Sequence, residues 1–179
     1  MTLNKREKFS HVTARAGMLA LALCLSSFPS WGQQDLSEVD ELGLYNNSAR
    51  VNQVGDGMST SLTQVGGDNL AIISQSGFSN QLVTNQQGFD NQLSATQFGS
   101  DIEATILQAG FGNRVLSSQN GEQLLLHISQ IGTDNIAVVN QTGIENAIRI
   151  QQYGSGNAVG VTQWGNSQNV VVTQSSLSN

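Results

Sequence analysis

The chain has 179 residues and a formal net charge of −6, with 19 glycines, one proline and one cysteine. That length allows one or at most two ordinary domains. The acidic balance gives it no electrostatic reason to hold nucleic acid or an anionic lipid surface.

The first segment reads as a secretory signal peptide over residues 1–32. "MTLNKREKFSHVTAR" carries Lys5, Arg6, Lys8 and Arg15, and is followed by the apolar run "AGMLALALCL" and the exit "SSFPSWGQ". A basic start, a short apolar core and small residues such as Ser30 and Gly32 before the cut form the expected pattern. The apolar run falls short of the roughly 20 residues that a membrane span needs. Cys24 follows Leu23, where a lipid-attachment site wants a small residue, so Cys24 is expected to leave with the peptide. Beyond residue 32 there is no lysine, cysteine or proline, and three arginines face twelve acids, a net charge near −9. Disulfides cannot stabilise such a chain. Residues 33–46, "QQDLSEVDELGLYN", form an acidic leader expected to be flexible or to serve in secretion.

From residue 47 onward one interval governs everything. Stepping by eleven gives Gln53, Gln64, Gln75, Gln86, Gln97, Gln108, Gln119, Gln130, Gln141, Gln152, Gln163 and Gln174, without one insertion. Two residues after each come Gly55, Gly66, Gly77, Gly88, Gly99, Gly110, Gly121, Gly132, Gly143, Gly154 and Gly165, and then Ser176. Six residues before the glutamines, alternate units hold Asn47, Asn69, Asn91, Asn113, Asn135 and Asn157. The other units hold Met58, Asn80, Ile102, Leu124, Asn146 and Gln168 there. The unit is N-x-Ψ-x-Ψ-x-Q-x-G-x-x, with mostly apolar Ψ pairs such as Ala71/Ile73, Leu126/Ile128 and Ile148/Ile150.

Asparagine, both Ψ positions and glutamine are spaced by two, which places them on one face of a strand. Each unit is expected to be a seven-residue strand followed by a four-residue turn containing glycine. A recurring glycine among β-branched residues argues against helix. Because only alternate units keep the asparagine, the structural period is 22, two strands per coil. The expected fold is all-β: a β-solenoid of six 22-residue strand–turn–strand coils over residues 47–179, with two parallel sheets. At about 4.8 Å per coil it stands roughly 29 Å tall. The glutamines and the invariant asparagines would then lie above their own kind and form amide ladders, as in cross-β assemblies.

The half-repeat appears in "QVGGDNLAIISQSG" and "QTGIENAIRIQQYG", and it resembles that of the curlins, the subunits of bacterial curli functional amyloid. The resemblance spans residues 47–178. It implies secretion through a dedicated outer-membrane pore, accessory proteins, and an extracellular fibre attached to the cell surface, serving adhesion and biofilm. It also implies partners that are further copies and homologous curlin subunits, joined by stacked strand edges. Curlins divide into a major subunit that builds the fibre and a minor subunit that nucleates it. The bulky turns "SGFS", "QGFD" and "TGIE", the acidic leader and the end "GSGNAVGVTQWGNSQNVVVTQSS" resemble the minor subunit more closely. The final repeat lacks the basic residues of minor curlins, which leaves the major subunit as the alternative and a monomeric solenoid adhesin as a third reading.

No enzyme is expected. Asp68, Asp90, Asp101, Asp134 and Glu145 fall in turns, where such residues serve the backbone. His127 is the only histidine after residue 32. No catalytic set or metal-ligand spacing is present, and no cofactor or small-molecule substrate is implied. A calcium-binding solenoid would repeat every nine residues, not eleven. Asp68 and Asp90, 22 apart, are expected on adjacent coils, where their charges repel. Phe78, Phe89, Phe98, Phe111, Tyr153 and Trp164 are expected in turns, either covering the corners or forming a contact surface.

Overall fold

The computed structural model describes residues 46–176; the expected signal peptide and nearly all of the expected leader lie outside them. Twelve strands follow one another: β1 (Ser48–Asp56), β2 (Ser59–Gly67), β3 (Leu70–Phe78), β4 (Gln81–Phe89), β5 (Gln92–Ser100) and β6 (Glu103–Phe111). They continue as β7 (Arg114–Glu122), β8 (Leu125–Thr133), β9 (Ile136–Ile144), β10 (Ala147–Ser155), β11 (Ala158–Asn166) and β12 (Asn169–Ser175). Odd strands form one six-stranded sheet in the order β1-β3-β5-β7-β9-β11, and even strands form the other. All pairing is parallel, with a register shift of 22, so Gln75 lies opposite Gln97 and Gly77 opposite Gly99. The fold is a β-solenoid of about six coils.

Alternation decides what goes inside. Sheet one buries Ala71, Ile73, Leu93, Ala95, Val115, Ala137 and Val139. Sheet two answers with Leu82, Ala104, Ile106, Leu126, Ile128, Ile148 and Ile150. Small faces large across the narrow interior: Ala137 and Val139 share their coil with Ile148 and Ile150. That pairing keeps the two sheets evenly spaced and the interior filled. Two fully buried inward positions depart from it, beside the half-buried Thr60 whose hydroxyl joins the glutamine ladder. Ser117 is buried, and Thr84 is buried with an Oγ1 that has no hydrogen-bond partner. The register places Thr84 between Leu62 and Ile106, so a hydroxyl sits in an aliphatic column.

The strands are longer than the seven residues expected, and the corners shorter. Eleven strands have nine residues, and two residues join each to the next. The glycine two places after each glutamine lies inside the strand rather than in the turn. Its φ is positive, from 91° at Gly154 to 147° at Gly121. The chain bends there while its pairing continues past the bend, glycine opposite glycine. The corner proper is a single left-handed residue, such as Asp68 at φ 57° or Asp134 at φ 55°. Asp and Asn tolerate that conformation better than most side chains.

Close approach enforces the glycine column. A Cβ on Gly99 would run into the carbonyl oxygen of Gly121, with that carbonyl carbon only 2.8 Å away. The obstacle is backbone and cannot swing aside. Gly160 has nothing within 4 Å of its Cβ position. Gly99→Ala should therefore lose about 3–5 kcal/mol through left-handed strain and overpacking. Gly160→Ala should be neutral or gain a few tenths. Denaturant unfolding of the two variants checks this, and equal stabilities would refute the steric account.

Candidate functional site: the amide ladders and stack ends

Each sheet carries one glutamine ladder. In the first, Nε2 of Gln53 donates to Oε1 of Gln75 at 2.6 Å, and the chain continues through Gln97, Gln119 and Gln141 to Gln163. In the second, Gln64 donates to Gln86 at 2.8 Å, followed by Gln108, Gln130, Gln152 and Gln174. Nine of the twelve are buried; Gln53, Gln64 and Gln174, in the terminal coils, are half-buried. In most of them the second hydrogen of Nε2 is also used. That of Gln108 meets the carbonyls of Gln92 at 3.1 Å and Asn113 at 3.0 Å. The amides thus tie the side-chain column to the backbone of both sheets.

The asparagine ladder runs the other way. Nδ2 of Asn69 donates back to Oδ1 of Asn47 at 3.0 Å, and Asn91, Asn113, Asn135 and Asn157 repeat the step. The same oxygens accept backbone N–H groups, as Oδ1 of Asn69 does from Asn91 at 3.1 Å. Nδ2 of Asn69 also donates to the carbonyl of Gly88 at 2.9 Å, closing its own coil. Glutamines pointing toward the C-terminal coil and asparagines toward the N-terminal coil set their amide dipoles against each other. The stack gains cooperative hydrogen bonding, and the asparagine ladder offsets part of the dipole of the two glutamine ladders.

The alternate corner has no such ladder. Asn80 and Asn146 are buried and donate to the carbonyls of Gly99 and Gly165. Between them Ile102 and Leu124 are 0% and 1% exposed. Oδ1 of Asn80 accepts the backbone N–H of Ile102, and Oδ1 of Asn146 that of Gln168. Ile102 and Leu124 offer the next coil no such acceptor, so this corner exchanges hydrogen bonds for apolar burial.

The remaining candidates fall on the outside. Asp68, Asp90, Asp101, Asp134 and Glu145 all hold the left-handed corner, at φ between 53° and 57°. Asp68 and Asp90 are exposed at equivalent corners of adjacent coils. A shallow depression opens where Gly112 interrupts that acidic column, lined by Asp90, Gln92, Arg114, Asp134 and Ile136. Arg114 donates there to Oε1 of Gln92 at 2.9 Å. Among the described residues no three His, Cys, Asp or Glu side chains group as metal ligands. His127, half-buried, lies in register with Thr105 and Arg149 on the outer face.

The aromatic residues are not in turns. All six lie in strands, at or near their ends, because the strands extend past the glycine. They do not close over the corners either: Trp164 is 70% exposed and Phe98 59%. Phe89 and Phe111 are neighbours in register. Missed from the sequence was the steric role of the glycine column, which the unbroken Q-x-G spacing signals only as a turn preference.

These features define the class of the protein: a parallel β-solenoid whose coils are locked by residues 22 apart. Neither family models nor curated proteins match the chain.

Replacing both Gln108 and Gln130 by alanine should cost on the order of 1–3 kcal/mol for each polar group left buried and unpaired. The donor of Gln86 loses its acceptor, and Oε1 of Gln152 loses its donor. Replacing Ser94 and Thr96, on the outer face of β5, should cost under about 0.5 kcal/mol. Thermal unfolding of the two double variants distinguishes them, and equal losses would show that the inward amides carry no special weight.

Proposed function

We propose that this protein is a structural subunit of an extracellular, curli-type amyloid fibre, and that within it the chain serves as the minor subunit that nucleates polymerisation at the cell surface. The observation that carries the reading is the unbroken 22-residue register. Every ladder, column and strand in the stack repeats at one spacing, so a second chain of the same period can continue it with no new type of contact. Among the described residues, β1 and β2 pair on one side only, as do β11 and β12. Such edges offer main-chain groups for strand addition. The amino-terminal "AGMLALALCL" core supports export, and the resemblance of the half-repeat to curlins supports the family, the secretion pore and the surface location.

A fibre subunit needs no catalytic constellation, cofactor or small ligand, and its partners are other solenoids. The irregular corner column, with Ile102 and Leu124 in place of asparagine, favours a minor rather than a bulk subunit. A polymer built from very many copies gains most when each column is regular.

Two experiments separate the parts of this reading. Residues 33–179, diluted from denaturant at tens of micromolar, should form Thioflavin-binding fibres with a reflection near about 4.8 Å. A chain that stays monomeric for days rejects the fibre. Deleting the gene should leave the producing cells without fibres while a second, homologous subunit is secreted in soluble form. Fibres persisting unchanged would reject the nucleating role.

A further inference from the structure

We propose that the outer face of the odd-stranded sheet is a self-complementary docking surface for a second copy of this chain, laid face to face about a two-fold axis parallel to the stack. The inference goes beyond the fibre reading and does not depend on it. The two stacks lie side by side, and the ends of each stay open.

The argument starts from a glycine that the fold does not need. Gly160 faces outward in β11, its backbone is not left-handed, and a Cβ there would meet nothing within 4 Å. Glycine weakens a strand interior and often marks a place where something else comes close. Four residues further along the same face stands Trp164, 70% exposed. A bare spot and a very large side chain thus flank Thr162 on one strand.

The other odd strands repeat the arrangement in different residues. Their outward side chains fall in columns, and the middle column is polar and of modest size throughout: Asn52, Ser74, Thr96, Ser118, Asn140 and Thr162. A two-fold axis along that column reverses the strands of the second copy but keeps its stack pointing the same way. It brings the column before the axis against the column after it, coil by coil. Gly160 then faces Trp164, Ser94 faces Phe98, and Ile72 faces Ser76. Leu116 meets Asn120, and Val138 meets Thr142. In each of these five coils the bulkier side chain meets a smaller one, and in the first coil Arg50 lies over Val54. Sheets filled this way can pack at about 10 Å and interdigitate, as paired cross-β sheets do.

Charge agrees with shape. The outward side chains of the odd strands carry four charges, Arg50, Asp56, Arg114 and Glu122. Within one chain Arg114 and Glu122 stand at opposite ends of β7 and cannot meet. The two-fold axis brings Arg114 to the level of Glu122 of the second copy, and the reverse. Glu122 lies just past the bend at Gly121, a rim position that suits the long arginine side chain.

The even sheet fails the same operation. Reversed on itself it sets Arg149 against Tyr153 and His127 against Ile131, large on large, and leaves Thr105 over Ala109. Leu107, on its axis, would meet itself.

Cross-linking tests the docking. The chain from residue 33 onward has no cysteine, so single ones can be placed. Thr162→Cys puts a thiol on the axis, and Thr173→Cys puts one at the equivalent place on the even sheet of the same coil. A short bifunctional maleimide is added to each before fibres appear, and dimer is read on a denaturing gel. Two copies stacked end to end hold these positions roughly 29 Å apart, beyond such a linker. Thr162→Cys should give several-fold more dimer than Thr173→Cys. Adding Gly160→Trp sets tryptophan on tryptophan and should lower the yield to that of Thr173→Cys. Adding Trp164→Gly as well exchanges the two partners and should restore it. Equal yields at the two cysteines, or no recovery in the exchanged variant, would overturn the proposal. Fibres that form without cross-linking through Thr162→Cys would overturn it and leave the fibre reading standing. Cross-linking in a chain that never forms fibres would support it and reject only the fibre. Matching circular dichroism spectra confirm that the variants enter the assay equally folded.

Discussion

The structure depends on one constraint: residues 22 apart must lie directly above one another. A glutamine amide has two donor hydrogens and an acceptor oxygen, and burying it unpaired is costly. Stacked on its own kind it is satisfied from below and above, and its second hydrogen reaches a backbone carbonyl. Gln86 shows the full set, donating to Gln108, Leu70 and Asn91 and accepting from Gln64. One inserted residue would carry every inward side chain to the outer face. The ladders are therefore both a consequence of the register and a strong reason for it to hold.

A polar interior of this kind relieves the chain of a large apolar core. The hydrophobic layer is only two positions deep on each strand, with alanine often opposite isoleucine or leucine. It drives the two sheets together but has little geometry of its own. Direction comes from the amides and from the glycine column, which allows the chain to turn while its backbone pairing continues. The three devices share the work: aliphatics supply burial, amides hold the register, and glycines permit the bend.

The two corners of each coil follow different solutions. Where asparagine is invariant, its oxygen accepts both an amide and a backbone N–H of the next coil, and its nitrogen closes its own coil. Where Ile102 and Leu124 intervene, those bonds give way to buried methyl groups. Along the outside, the exposed aromatic and aliphatic side chains leave a surface that varies from coil to coil. Regular inside and irregular outside, the solenoid keeps one coil geometry while its flanks differ.

Much of this was legible in the residues alone. The eleven-residue spacing of glutamine specified the strand period, and the alternation of Asn47, Asn69 and Asn91 with Met58, Asn80 and Ile102 specified two strands per coil. Periodicity of side-chain type is a direct record of which face is buried, so the inward columns could be read one by one. The sequence also indicated that Asp68 and its counterparts serve corners, since short polar side chains tolerate the left-handed conformation. Tertiary structure decided what depends on distance between coils. Whether a glycine ends a strand or bends within it cannot be read from spacing, because both uses favour glycine. Only the approach of the next coil's carbonyl shows that a Cβ is forbidden there. The opposed directions of the glutamine and asparagine ladders were likewise set by which carbonyl each amide could reach in three dimensions.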